Sequence, residues 1–105
     1  MLPDRERLEK ALEYLSQTDQ QHAFLFAKKD AQKERIKLVR AVKFLEAKGS
    51  VAERNARADS DAVVADAIDV WENVVADFKL LENKRTRANT EIDVWRSLNK
   101  QGRTL

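Results

Sequence analysis

The chain has 105 residues, of which 36% are charged and 43% hydrophobic, with a net charge of +2 and no cysteine. The absent cysteine excludes a disulfide scaffold, a thiolate zinc site and a thiol nucleophile. Two glycines and one proline are too few for the turns of a sandwich or barrel, so an all-α fold is expected in a single helical domain over residues 1–105.

Leu2-Pro3-Asp4 suits a helix start, because proline lacks an N–H that would have no partner there, and Asp4, Glu6 and Glu9 favour the positive end of the helix dipole. Leu8, Leu12 and Leu15 follow at helical spacing. Thr18 and Gln21 then form a T-x-x-Q pattern that reads as a capping box, so a break or bend is expected near residues 16–19; the alternative is one continuous helix with a polar turn. From Ala23 to Ala47 the pattern is helical, and Phe24, Leu25, Phe26, Ile36, Leu38, Val39, Val42, Phe44 and Leu45 spread over more than one face, which calls for more than one neighbour.

Lys48-Gly49-Ser50 is the clearest punctuation. Gly49 can take a left-handed conformation after a helix, and Ser50 with Glu53 forms a second capping box, so a tight helix-to-helix turn is expected. Residues 51–58 are either a short separate helix or part of the connection, and Asp59-Ser60-Asp61 offers the next N-cap. Beyond it Val64, Trp71, Phe78, Arg85 and Ile92 recur every seven residues, and Ala67, Val74, Leu81, Ala88 and Trp95 recur three residues after them. This is a coiled-coil seam interrupted only by Arg85.

Charge is distributed in blocks. Residues 1–27 carry three basic and five acidic groups, 28–48 eight basic and three acidic, 59–82 seven acidic and one basic, and 84–105 six basic and two acidic. A reversal at Gly49-Ser50 sets the basic block 28–48 against the acidic block, and the basic end against Asp4, Glu6, Glu9 and Glu13. The expected architecture is therefore a long antiparallel helical hairpin of two to four helices, coiled-coil-like. The apolar arcs exceed one seam, which favours a homodimer forming a four-helix bundle over a monomeric three-helix arrangement.

Chemistry is sparse. His22 is the lone histidine, and no phosphate-binding glycine loop, zinc-protease motif or nucleophile elbow is present. The acids from Asp59 to Asp69 lack the central glycine and terminal glutamate of a calcium loop. No enzyme, metal or cofactor is expected. Arg85, Arg96, Lys100 and Arg103 fall within about 60° on a helical wheel, with Trp95 beside them and Lys84 preceding them. Such a patch could meet a protein partner or, through phosphate contacts and ring stacking, single-stranded DNA; otherwise Trp95 belongs to the seam and the cations pair with helix 1 acids. No apolar run reaches a membrane span and no secretory signal opens the chain, so a cytoplasmic location is expected.

GSVAERNARADS (49–60) and LLENKRTRANTEIDVWRSLNKQGR (80–103), with LEKALEYLSQTD (8–19), resemble a group of small helical phage and prophage proteins marked by a G-[ST]-V-A-E-R turn and an N-K-R…I-[DE]-V-W-R-S ending. Such proteins tend to be encoded among phage genes for recombination and single-strand handling. The resemblance implies a non-enzymatic accessory role in the host cytoplasm, binding a protein of recombination or replication. Its matching positions are Asn83, Lys84, Arg85, Trp95, Arg96 and Ser97, with Val51, Ala52, Glu53 and Arg54 in the turn. The alternatives are inhibition of a host defence complex, of the anti-CRISPR kind, and direct DNA binding.

Overall fold

The computed structural model describes the backbone of residues 5–104 and the side chains of residues 5–100. Three helices account for nearly all of them: α1 (Arg5–Glu46), α2 (Val51–Asp59) and α3 (Ala62–Thr104). No strand occurs among the described residues. The expected opening of α1 at Leu2-Pro3-Asp4 lies outside them.

The reversal falls where the sequence places it. Gly49 has φ of 115°, a region that a residue bearing a Cβ adopts only under strain. Ser50 caps α2, its Oγ accepting from the Glu53 N–H at 3.2 Å and donating to the Glu53 carboxylate at 3.2 Å. Residues 51–59 are thus a separate helix. Arg54 closes the turn from the other side: its Nε donates to the Phe44 carbonyl at 3.1 Å and its guanidinium stacks 4.2 Å from the Phe44 ring centroid. Phe44 lies in the last turn of α1, whose carbonyls have no intrahelical donors. Glu53 and Arg54 of the V-A-E-R turn therefore serve folding. Asp61 caps α3, its Oδ1 accepting from the Val63 N–H at 2.8 Å.

The expected break at residues 16–19 does not occur, because α1 runs through it. Thr18 is not a cap: its hydroxyl donates to the Tyr14 carbonyl, one turn back, at 2.7 Å. Gln17 bonds Glu13 in the same i,i+4 sense at 3.0 Å. A threonine that bonds back along its own helix fits a helix interior.

The chain divides into two compact units, Met1–Ala23 with Lys79–Leu105 (unit 1) and Phe24–Phe78 (unit 2). In unit 1, α1 and α3 run antiparallel: Arg7 meets Glu91 at 3.1 Å, while Arg85 meets Asp19 at 3.2 Å. Ala11, Ala88 and Ile92 form its core, with Leu8, Tyr14 and Leu15 packed on them. In unit 2, Ala58, Val64, Val74 and Phe78 are buried. Phe26 lies tilted against Phe78 at 5.8 Å, and the Lys29 ammonium sits 5.1 and 5.3 Å from the two ring centroids. Gln32 crosses to α3, donating to the Ala67 carbonyl at 3.1 Å.

The heptad seam of α3 holds at every position. Val64, Ala67, Trp71, Val74 and Phe78 in unit 2, and Leu81, Arg85, Ala88, Ile92 and Trp95 in unit 1, are all buried or half-buried. Trp71 contributes its ring alone, since its Nε1–H is buried without a hydrogen-bond partner among the described residues.

The charge pairing is more local than the block arithmetic suggests. Glu6 pairs with Lys10 at 3.3 Å and Glu9 with Arg5 at 3.5 Å, along α1. Glu6 and Glu9 thus each have a cation one helical turn away on α1, while Glu13 accepts from Gln17. In unit 2 the expected pairing of opposite signs is present only near the turn, as Arg40–Asp59 at 2.7 Å and Lys43–Asp61 at 4.0 Å.

Candidate functional site

Two surfaces, one in each unit, carry chemistry suited to binding. In unit 1, Trp95 is half-buried, consistent with its seam position, and its exposed edge lines an open cleft. Leu8 and Val94 supply the apolar wall, with Arg7, Thr90 and Glu91 at the rim. The Arg7–Glu91 ion pair spans α1 and α3 at this rim and fixes its edges.

Of the residues expected at the binding patch, Arg85 and Lys84 are directed elsewhere in the structure. Arg85 is turned inward: Nη1 donates to the Leu15 carbonyl at 2.9 Å and to the Thr18 hydroxyl at 2.8 Å, and Nη2 to Asp19 at 3.2 Å. Only 16% of its side chain is exposed. A cation at a seam position reaches the facing helix first, so Arg85 is spent on packing. Lys84 lies on another face, along a shallow groove with Lys10, Tyr14, Arg87 and Ala88. Arg96 and Lys100 are exposed. Lys84, Arg96 and Lys100 have no ion-pair partner among the described residues. The side chain of Arg103 lies outside them.

In unit 2 a groove opens between α1 and the start of α3. Ala31, Leu38, Val39 and Val42 of α1 and Val63 of α3 line it, with Lys28 and Arg35 on its edge. Leu38 is 68% exposed. Sequence reading noticed the excess of apolar residues here without locating the groove. The available signal was a second heptad, since Phe24, Ala31, Leu38 and Leu45 are each seven residues apart.

Near the turn, Arg40 donates from Nε to Asp59 at 2.7 Å and from Nη2 to Asn55 at 3.2 Å. The hydrogen bond from Arg40 holds the Asp59 carboxyl below its ordinary value of 3.8, against an opposing desolvation and with Coulomb attraction from Arg40 adding to the effect. Arg40 is shifted upward by the same bond. This clip fastens α2 to α1. Among the described residues no three metal-ligating side chains cluster, and no helix is long and apolar enough to cross a membrane. His22 is half-buried.

No protein-family model, curated protein or solved structure matches this chain.

Proposed function

We propose that this is a non-enzymatic helical interaction protein of the phage accessory kind, acting in the host cytoplasm and binding a protein of DNA recombination or replication through the Trp95 cleft, as a homodimer. The cleft carries the reading. It joins a tryptophan edge to an aliphatic wall and a pre-formed ion pair, the composition of an interface hot spot. Arg96 and Lys100, close to Trp95 in sequence, have no ion-pair partner among the described residues and suit an acidic partner surface. The phage context comes from the resemblance of segments 49–60 and 80–103.

The test is affinity capture from phage-infected cells with the intact chain and with Trp95→Ala. Recovery of phage recombination or replication proteins that is lost in the variant supports the reading. Recovery of a host defence complex instead replaces it with the inhibitor alternative.

Lys84, Arg96 and Lys100, without ion-pair partners among the described residues, support one further reading, weak single-stranded DNA binding. Such binding must fall steeply with salt and disappear in Arg96→Ala/Lys100→Ala. A labelled oligonucleotide that does not bind even at low salt removes it.

A further inference from the structure

We propose that the groove of unit 2 seats a second copy of the chain, with α1 of each protomer lying on α3 of the other about a two-fold axis. This rests on the homodimer of the reading above and names its surface. Three observations converge on it.

The first is periodicity. Phe24, Ala31, Leu38 and Leu45 repeat every seven residues on α1, and all four are exposed. Phe24, Leu38 and Leu45 are 59%, 68% and 72% exposed. A strict seven-residue apolar repeat is what one helix needs to stay in register with another. The seam of α3 has the same period and is covered within the chain; this stripe is not. The second is the facing surface. Val63 lines the groove, and Val70, seven residues on, is 47% exposed, so α3 continues the apolar strip.

The third is charge, and it selects the pairing. Among the described residues of unit 2, the α1 groups without an ion-pair partner are all cations: Lys28, Lys33 and Arg35. Those of α3 are all anions: Asp66, Asp69, Glu72 and Asp77. The acids of α1 here are already engaged, Asp30 by Lys29, Glu34 by Lys37 and Glu46 by Lys43. Two α1 faces brought together would set cation against cation. An α1 face on a partner's α3 sets cation against anion, and a two-fold axis repeats that match. One charge pattern therefore favours the crossed pairing and opposes the pairing of α1 on α1.

Sedimentation equilibrium of the full chain at about 10 µM, in the concentration range of ordinary specific dimers, is expected to give twice the 12.1 kDa monomer mass. Leu38→Glu is expected to give the monomer mass with its helical circular dichroism retained. A wild-type monomer, a larger assembly or an unchanged Leu38→Glu dimer overturns the proposal. Should Leu38→Glu fail to fold, two charge variants decide the matter at low salt, where screening is weak. Lys28→Glu/Arg35→Glu and Asp66→Lys/Asp77→Lys are each expected to be monomeric alone and to form a one-to-one dimer when mixed. Repair within a single chain cannot produce that selective mixing, and its absence overturns the crossed pairing. Trp95→Ala is expected to lose capture and keep the dimer mass; an intact chain that captures its partner as a monomer overturns the dimer alone, and an intact dimer that captures nothing overturns the partner reading alone.

Discussion

Phe78 and Arg85 occupy the same position of the α3 repeat, one heptad apart, and the two units solve that position in opposite ways. In unit 2 Phe78 is 4% exposed and packs on Phe26 beneath the Lys29 ammonium. In unit 1 Arg85 reaches through the seam and ties itself to a backbone carbonyl, a hydroxyl and a carboxylate of α1. Apolar packing is strong and tolerant of sliding by a heptad, because the next repeat offers a similar surface. A guanidinium that must find the Leu15 carbonyl and Thr18 together has one acceptable register. Unit 2 thus draws its stability from area, and unit 1 gains definition from a polar contact that adds less.

Substitutions at the two positions sharpen this contrast. Phe78→Ala removes a buried ring and its partner contacts and is expected to lower unfolding stability by about 3 kcal/mol. Arg85→Ala forfeits the charge-assisted bonds and is expected to cost about 2 kcal/mol. Arg85→Leu restores an apolar seam. The Leu15 carbonyl keeps its helical bond and Thr18 keeps its bond to Tyr14, so it is expected to cost under about 1 kcal/mol or to stabilise. Urea unfolding of the three variants measures all of this. Equal losses for Arg85→Ala and Arg85→Leu would mean that the hydrogen bonds themselves, rather than the filled seam, hold unit 1 together.

What the residues disclosed beforehand follows the same division. The reversal at Gly49-Ser50 and the whole α3 seam were legible, because a capping box and a seven-residue period are local signals that tertiary context seldom overrules. Thr18 was misread because its T-x-x-Q pattern is equally that of a helix interior. In the folded chain its hydroxyl donates to the Tyr14 carbonyl one turn back and accepts from Arg85, 67 residues away. At the α3 end a wheel places Arg85 among Arg96 and Lys100 but cannot show which expectation it meets, and the structure pairs it with Asp19, an acid of helix 1. The pairing of Glu6 and Glu9 within α1 was hidden because block charges ignore which side of the helix each acid occupies. The groove of unit 2 was half legible: its heptad could be counted, yet whether that stripe lay inside or outside required the position of α3.

The turn gives a smaller effect and asks whether unit 2 depends on its reversal as firmly as on its rings. Ser50→Ala removes the acceptor for the Glu53 N–H and is expected to cost about 1 kcal/mol. Gly49→Ala would bring a Cβ within 2.6 Å of Glu53 Oε2 at a φ of 115°. The carboxylate can swing away, but the backbone strain stays, so a loss of about 1 kcal/mol is expected there too. Thermal unfolding of both variants, alone and combined, tests this. Because both changes disturb Glu53, the double variant is expected to lose less than the two single losses together.

The smallest effect is the acid response of the Arg40–Asp59 clip, which belongs to unit 2. Asp59 titrates below 3.8 in the folded chain because Arg40 donates to its carboxylate. A carboxyl whose folded value is depressed binds fewer protons folded than unfolded in that range, so its contribution is fully present above the unfolded value and fades as pH falls through the folded one. The clip should therefore be silent near neutrality and weaken below about pH 4. Arg40 stays charged throughout, so its own upward shift adds nothing in this window. Both side chains are solvent-accessible, which keeps the effect small. Asp59→Asn is expected to flatten the acid limb of the stability curve. An acid limb identical in the variant and the parent chain would show that the 2.7 Å contact exchanges freely with water, leaving Arg54 and the Ser50 cap to hold α2 in place.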